Sequence, residues 1–109
     1  MIGLQSGFEV HQFNNLTSTG VTDSVQTAGI NLLFQVTTTN VGSNVVIRLE
    51  GSLDNVSFFN LKEDEEDITL TTNSTFGYAL NGCPVKFTRV RLVDINGGSP
   101  TVSSKVGAS

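Results

Sequence analysis

The chain reads as an all-β protein, a single antiparallel β-sandwich or jelly-roll-like domain of about eight strands with no substantial helix. Three observations predict this. Short runs rich in Val, Ile, Thr and Phe recur between clusters of Gly, Asn, Asp and Ser, the punctuation of strands joined by turns. Within the runs, apolar and polar residues alternate with a period of two, as in a strand with one buried face. Only 15% of residues are charged, whereas exposed helices usually carry many Glu, Lys and Arg. The length of 109 residues suits one domain over 1–109, and a domain of that size buries only about 60–70% of its unfolded surface.

The elements follow in order. Phe8 to Phe13 is a short first strand, and Asn14 to Gly20 is a polar connection. Asp23 to Thr27 is a second short strand ending at the Ala28-Gly29 break. Ile30 to Thr38 alternates, with Ile30, Leu32, Phe34 and Val36 on one face and only Leu33 out of phase. Asn40 to Asn44 is expected to be a hairpin loop. Val45, Ile47 and Leu49 then point inward, leaving Val46, Arg48 and Glu50 outward, and these two strands are expected to pair with each other at the centre of the domain.

Glu50-Gly51-Ser52-Leu53-Asp54-Asn55 is a turn. In Val56 to Leu61, the adjacent Phe58 and Phe59 must send their rings to opposite faces, one to the core and the other to a loop or a contact surface. Lys62 to Asp67 is a charged loop, after which Ile68, Leu70 and Thr72 resume the alternation. Phe76, Tyr78 and Leu80 share a face. Val85 to Ile95 changes phase: Val85 and Phe87 lie on one parity, Val90 and Leu92 on the other, and Val93 and Ile95 on the first again. Such a slip implies a β-bulge or a strand buried on both faces. Asn96-Gly97-Gly98 is expected to be a turn using positive φ, and Thr101 to Val106 closes the sheet with Val102 and Val106 inward.

Composition excludes several functions. A net charge of −4 with six scattered Lys and Arg offers no basic stripe for phosphates, so no nucleic-acid partner is expected. A lone Cys83 cannot form an internal disulfide and reads as a small buried hydrophobe. The N-terminus shows no basic leader and no apolar run of signal length, and no window approaches the ~20 apolar residues of a membrane span. Synthesis in the cytoplasm without export, and no membrane partner, are the expectation.

Catalysis finds little support. His11 is the one side chain suited to act as a base near neutral pH, and with Glu9 on its face it reads as a solvated strand residue. No Ser or Cys stands in a G-x-S-x-G setting, and no Gly cluster leads into a helix that would cradle phosphate. We expect no enzyme, no cofactor and no small-molecule substrate. Glu63, Asp64, Glu65, Glu66 and Asp67 offer hard oxygen ligands but lack the alternating spacing of a calcium loop, so they read as a solvated loop whose negative tip suits a basic patch on a partner. Arg48 and Glu50 project from one strand and Arg89 and Arg91 from another. Cross-strand pairing at an exposed surface, contributing under ~1 kcal/mol, is the structural reading. A partner-binding face that includes Arg89, Arg91, Phe58 and Phe59 is the functional one.

The segment VVIRLEGSLDNVSFFNL, followed by VKFTRVRLVDINGGSPTVSSKVG, resembles small β-sandwich structural proteins of tailed bacteriophages. In these a strand ends in E-G-S-L-D-G, a turn leads to an aromatic, and a later strand carries an aromatic and R-V-R-L before a Gly-Gly turn. The likeness covers the C-terminal two thirds of the chain. Asn55 replaces the usual Gly and Phe58-Phe59 the usual Trp. Asn tolerates the left-handed conformation, and Phe is expected to keep the buried ring. Related turns occur in discoidin-like and carbohydrate-binding jelly rolls. The resemblance implies a virion protein, a capsid decoration or cement protein on the outer capsid surface that contacts the major capsid protein and copies of itself, often as a trimer. A neck, tail or fibre component and a carbohydrate-binding module remain as alternatives.

Overall fold

The structure, a computed structural model, describes residues 9–109, so Phe8, where the first strand was expected to begin, lies outside the described residues. Among the described residues, eight strands form one antiparallel hydrogen-bonded sheet: β1 (Glu9–Gln12), β2 (Gly20–Val21), β3 (Val25–Gln26), β4 (Leu32–Ser52), β5 (Phe59–Asn60), β6 (Ile68–Leu70), β7 (Thr75–Leu80) and β8 (Phe87–Ala108). The all-β reading therefore holds. Two of the strands, however, are far longer than the sequence period suggests.

Strands β4 and β8 pair along their whole length, from Leu32 opposite Ala108 to Ser52 opposite Phe87. A straight strand of that length would span ~70 Å, yet the longest dimension of the molecule is 47 Å. The ribbon must fold back on itself. It does so where its register shifts, between Thr39 and Val41 and between Val41 and Asn44. Asn40 (φ 55°), Gly97 (φ 78°) and Gly98 (φ 74°) take left-handed conformations there. A Cβ on Gly42 would strike the Gly97 backbone, and one on Gly98 would lie 2.6 Å from the Asn40 carbonyl oxygen.

This corrects two expectations. Asn40–Asn44 is not a hairpin loop and 96–98 is not a reversing turn; they face each other as a bulged hinge. Ile30–Thr38 and Val45–Leu49 accordingly do not pair with each other, and each pairs with its own half of β8. Asn and Gly supply positive φ equally well to a turn and to a bulge, so composition alone does not separate the two.

The hinge divides the sheet. The first half contains β1, the C-terminal part of β8, the N-terminal part of β4 and β7. The second contains β2 and β3, the N-terminal part of β8, the C-terminal part of β4, and β5 with β6. Leu32, Phe34, Val36, Val102 and Val106 from the first half join Val45, Ile47, Leu49, Val90 and Leu92 from the second in a single buried cluster. Phe13 stacks on Phe34 with ring centroids 6.5 Å apart. At the margin, the Lys62 ammonium of the second half lies 5.9 Å from the Tyr78 ring of the first.

The second of the two phase changes read in Val85–Ile95 is a bulge; the first falls where Val85 still lies outside β8 and Thr88, not Phe87, takes the buried parity. Val46 faces Asp94 and Ile47 faces Leu92, leaving Val93 unpaired. Thr88, Val90 and Leu92 are buried before it, and Ile95 packs against the core after it. Ile30 departs from expectation: it precedes β4 and is 51% exposed, its backbone N–H donating to Ser109 and its carbonyl accepting from Cys83.

Candidate functional site

The alternation that buries Ile47 and Leu49 turns Arg48 and Glu50 to the outer face of the second half. The β8 register sets Arg91 opposite Arg48 and Arg89 opposite Glu50. Glu50 becomes the hub: Arg89 Nε donates to its Oε1 at 2.7 Å and Arg91 Nε to its Oε2 at 2.9 Å, while Arg48 Nη1 lies 3.7 Å from Oε2. Arg48 also grips Asp67 with two bonds, Nε to Oδ1 at 2.7 Å and Nη2 to Oδ2 at 3.1 Å. The Phe58 ring lies against the Arg89 member of the cluster, its centroid 3.7 Å from the guanidinium carbon.

The expected Arg to Glu pairing is present, but it is not a surface pair. The Glu50 side chain is only 4% exposed, so the small contribution of a solvated ion pair does not apply. A carboxylate withdrawn from water is tolerated only when its partners compensate the lost hydration, and three guanidinium groups do so here. Three cations and two anions leave the face slightly positive. The Arg48 bond holds the Asp67 carboxyl below its ordinary pKa, and Asp67 in turn raises that of Arg48.

The turn beside this cluster is built by its own side chains. Ser52, fully buried, accepts the N–H groups of Asp54 and Asn55 on its Oγ at 3.1 and 3.0 Å. The Ser52 hydroxyl donates to Asp54 Oδ1 at 2.9 Å, which also accepts the N–H groups of Val56 and Ser57. These bonds lower the Asp54 pKa, those from Ser57 and Val56 most. Asn55 adopts the left-handed conformation expected of it (φ 62°) and accepts the Ser24 hydroxyl. A Cβ on Gly51 would lie 2.7 Å from a Leu61 methyl and 3.1 Å from one of Val85, so a larger residue there would require these core side chains to shift.

This rigid turn presents apolar side chains to solvent. Leu53, Val56 and Phe59 are 64%, 81% and 50% exposed. Neither Phe58 nor Phe59 enters the core, contrary to expectation; Leu61 fills that place. Strand β5 is only two residues long at a sheet edge, so the Phe59 ring overhangs the margin while Phe58 turns outward onto Arg89. Leu53 and Val56 were missed as contact candidates, although apolar residues set among the polar residues of a turn are themselves a signal of an exposed contact.

The acidic loop is partly tethered. Glu63, Asp64, Glu65 and Glu66 are exposed, as expected. Asp64 accepts the Glu66 N–H and lies 3.5 Å from the Lys62 ammonium, while Asp67 is claimed by Arg48. Among the described residues, no group of three or more His, Cys, Asp or Glu side chains converges as a metal site. On the first half, His11 Nε2 sits 3.1 Å from Glu9 Oε1, which also accepts the Ala28 N–H. An open cleft of about 510 Å³ is lined by Gln12, Phe13, Asn14, Asn15, Asp23 and Val25. Two of its amide oxygens are spent on holding loops: Asn14 accepts the Asp23 N–H and Asn15 the Ser103 hydroxyl.

The fold is similar to that of the SPBc2 prophage-derived protein YomS, known from a crystal structure, with a TM-score of 0.61 and 14% identity over 93% of each chain. At that identity the likeness is one of fold. No protein-family model and no curated protein matches the chain.

Proposed function

We propose that this chain is a non-enzymatic structural protein of a tailed phage, a decoration protein that binds the outer capsid surface and stabilises the shell. The observation that carries the reading is the fold shared over 93% of each chain with a prophage-derived protein. It joins the resemblance of the E-G-S-L-D turn and the R-V-R-L strand to phage structural proteins. Leu53, Val56 and Phe59 form the apolar centre of the contact, and Arg91 with the acidic loop forms its polar rim, the usual layout of a protein interface. A side-chain-locked turn loses little entropy on docking, so more of the buried area appears as affinity. Binding across neighbouring capsid subunits then favours the assembled shell by mass action.

Quantitative mass spectrometry of purified virus particles tests this. A copy number equal to that of the major capsid protein, or a simple fraction of it, is expected. About a dozen copies, matching the rotational symmetry of a neck or tail, would assign the protein there instead. Absence from the particle overturns the virion reading.

A further inference from the structure

The free edges of the sheet are not alike. An open edge presents unpaired N–H and C=O groups that invite another strand, and monomeric proteins blunt such edges with short strands, charges, prolines or bulges. Strands β2, β3 and β5 are two residues long and β6 is three. Strand β1 has four residues and carries Glu9 and His11. Strand β7, Thr-Phe-Gly-Tyr-Ala-Leu, has six residues, no charge, no proline and no bulge, and among the described residues it pairs only with β4. From Ile68 to Val85 no residue is charged.

We infer that β7 is a self-association edge: two copies of this chain join their β7 strands antiparallel across a two-fold axis at Gly77, fusing the first halves into one continuous sheet. The backbone fixes which groups are available. Thr38 N–H donates to the Ser74 carbonyl, and on β8 it is the N–H of Val102 that points away from β4, to Leu16. Alternation along an antiparallel ladder then directs Phe76, Tyr78 and Leu80 toward β4, and the N–H and C=O groups of Thr75, Gly77 and Ala79 outward.

A register centred on Gly77 pairs Gly77 with its symmetry mate and Thr75 with Ala79, so all three outward residues exchange hydrogen bonds. It sets Phe76 of each copy opposite Tyr78 of the other at non-hydrogen-bonded positions, where side chains approach most closely and aromatic pairs are favourable. These rings are half-buried and stacked at the open margin of the core, with centroids 6.4 Å apart. Glycine at the axis adds no bulk. A second copy is the occupant that suits this edge, because two chains of net charge −4 repel over most of their surface but meet here without charge. The nearby Lys62 ammonium is balanced by Asp64 at 3.5 Å.

The inference does not depend on the virion reading, and purified protein tests it. Analytical ultracentrifugation should find a dimer. Gly77→Lys, which sets two ammonium groups across the axis, should weaken dimerisation by at least ~10-fold. A Cβ at position 77 meets nothing nearer than the Phe34 carbonyl oxygen at 3.9 Å, so the variant should fold. Ala79→Pro, which removes an outward N–H, should act alike. Hydrogen exchange adds a site-specific readout: the amides of Thr75, Gly77 and Ala79 should be protected in the wild type and exchange rapidly in Gly77→Lys. A wild type that remains monomeric at ~0.1 mM, or a dimer that leaves these amides unprotected, overturns the inference.

Discussion

The two halves of the folded sheet are made from the same two long strands, yet their outer faces carry different chemistry. Of six basic and ten acidic residues, only Lys105 and Glu9 lie in the strands of the first half. Its exposed surface is Thr, Ser, Gln and Gly, with Leu33 and Val10 about half exposed. The second half carries the Arg48, Glu50, Asp67, Arg89 and Arg91 network, the acidic loop and the locked turn. Inward-facing residues are equivalent in the two halves, because both must fill one core. The difference teaches that burial specifies the common fold, while the outward parity is free to become a charged docking surface in one half and an uncharged strand edge in the other.

The largest expected effect is at the hub of the charged half. Glu50→Ala leaves Arg48, Arg89 and Arg91 facing one another beside a vacated buried site and should cost ~3 kcal/mol or more, measured by urea unfolding. Replacing Glu50 and Arg89 together by Met should recover much of the loss, because apolar side chains of similar volume do not need the compensation that a buried ion does. A cost of ~0.5 kcal/mol for Glu50→Ala would mean that the cluster behaves as a solvated surface pair, and the contrast between the halves would then be one of composition only.

Much of this contrast was legible in the sequence. Alternation placed Phe34, Val36, Ile47, Leu49, Val102 and Val106 inward and Arg48, Arg89 and Arg91 outward, and the parity slip before Ile95 marked the bulge at Val93. The connectivity was not legible, because Asn40 and the Gly97-Gly98 pair satisfy the requirements of a turn and of a bulge equally. Nor was the burial of Glu50, since alternation gives the face on which a side chain lies but not what covers it. Arg89, which pairs with Glu50, is itself covered by Phe58 from a neighbouring segment whose placement depends on tertiary pairing.

The hinge that separates the halves is the next place to test. Gly98 takes a positive φ of 74°, and a Cβ there would lie 2.6 Å from the Asn40 carbonyl oxygen and from the Gly42 nitrogen. Gly98→Ala should therefore cost ~2 kcal/mol, combining backbone strain with a collision against main chain that cannot rotate away. The loss should appear as reduced hydrogen-exchange protection in both halves together, since both hang from this crossing. A change confined to one half would show that the halves fold as separate cooperative units joined by a tolerant link.

The smallest effect concerns acid. Asp54 and Asp67 both titrate below their ordinary range, Asp54 through the backbone N–H groups of Ser57 and Val56 and Asp67 through Arg48. A carboxylate whose pKa is depressed in the folded state contributes stability above its unfolded pKa of ~3.9 and loses that contribution as pH falls through the lower folded value. The charged half holds both groups, and the first half holds only Glu9, depressed mainly by the Ala28 N–H. On acidification through pH ~3, the amides of Val56 and Ser57 should lose protection before those of Val36 and Val106. Asp54→Asn keeps an oxygen to accept both N–H groups but removes the charge, so it should flatten this pH dependence while leaving the neutral half unchanged. Simultaneous loss of protection across all four amides would instead tie the acid response to global unfolding, and the locked turn would then share the cooperativity of the core.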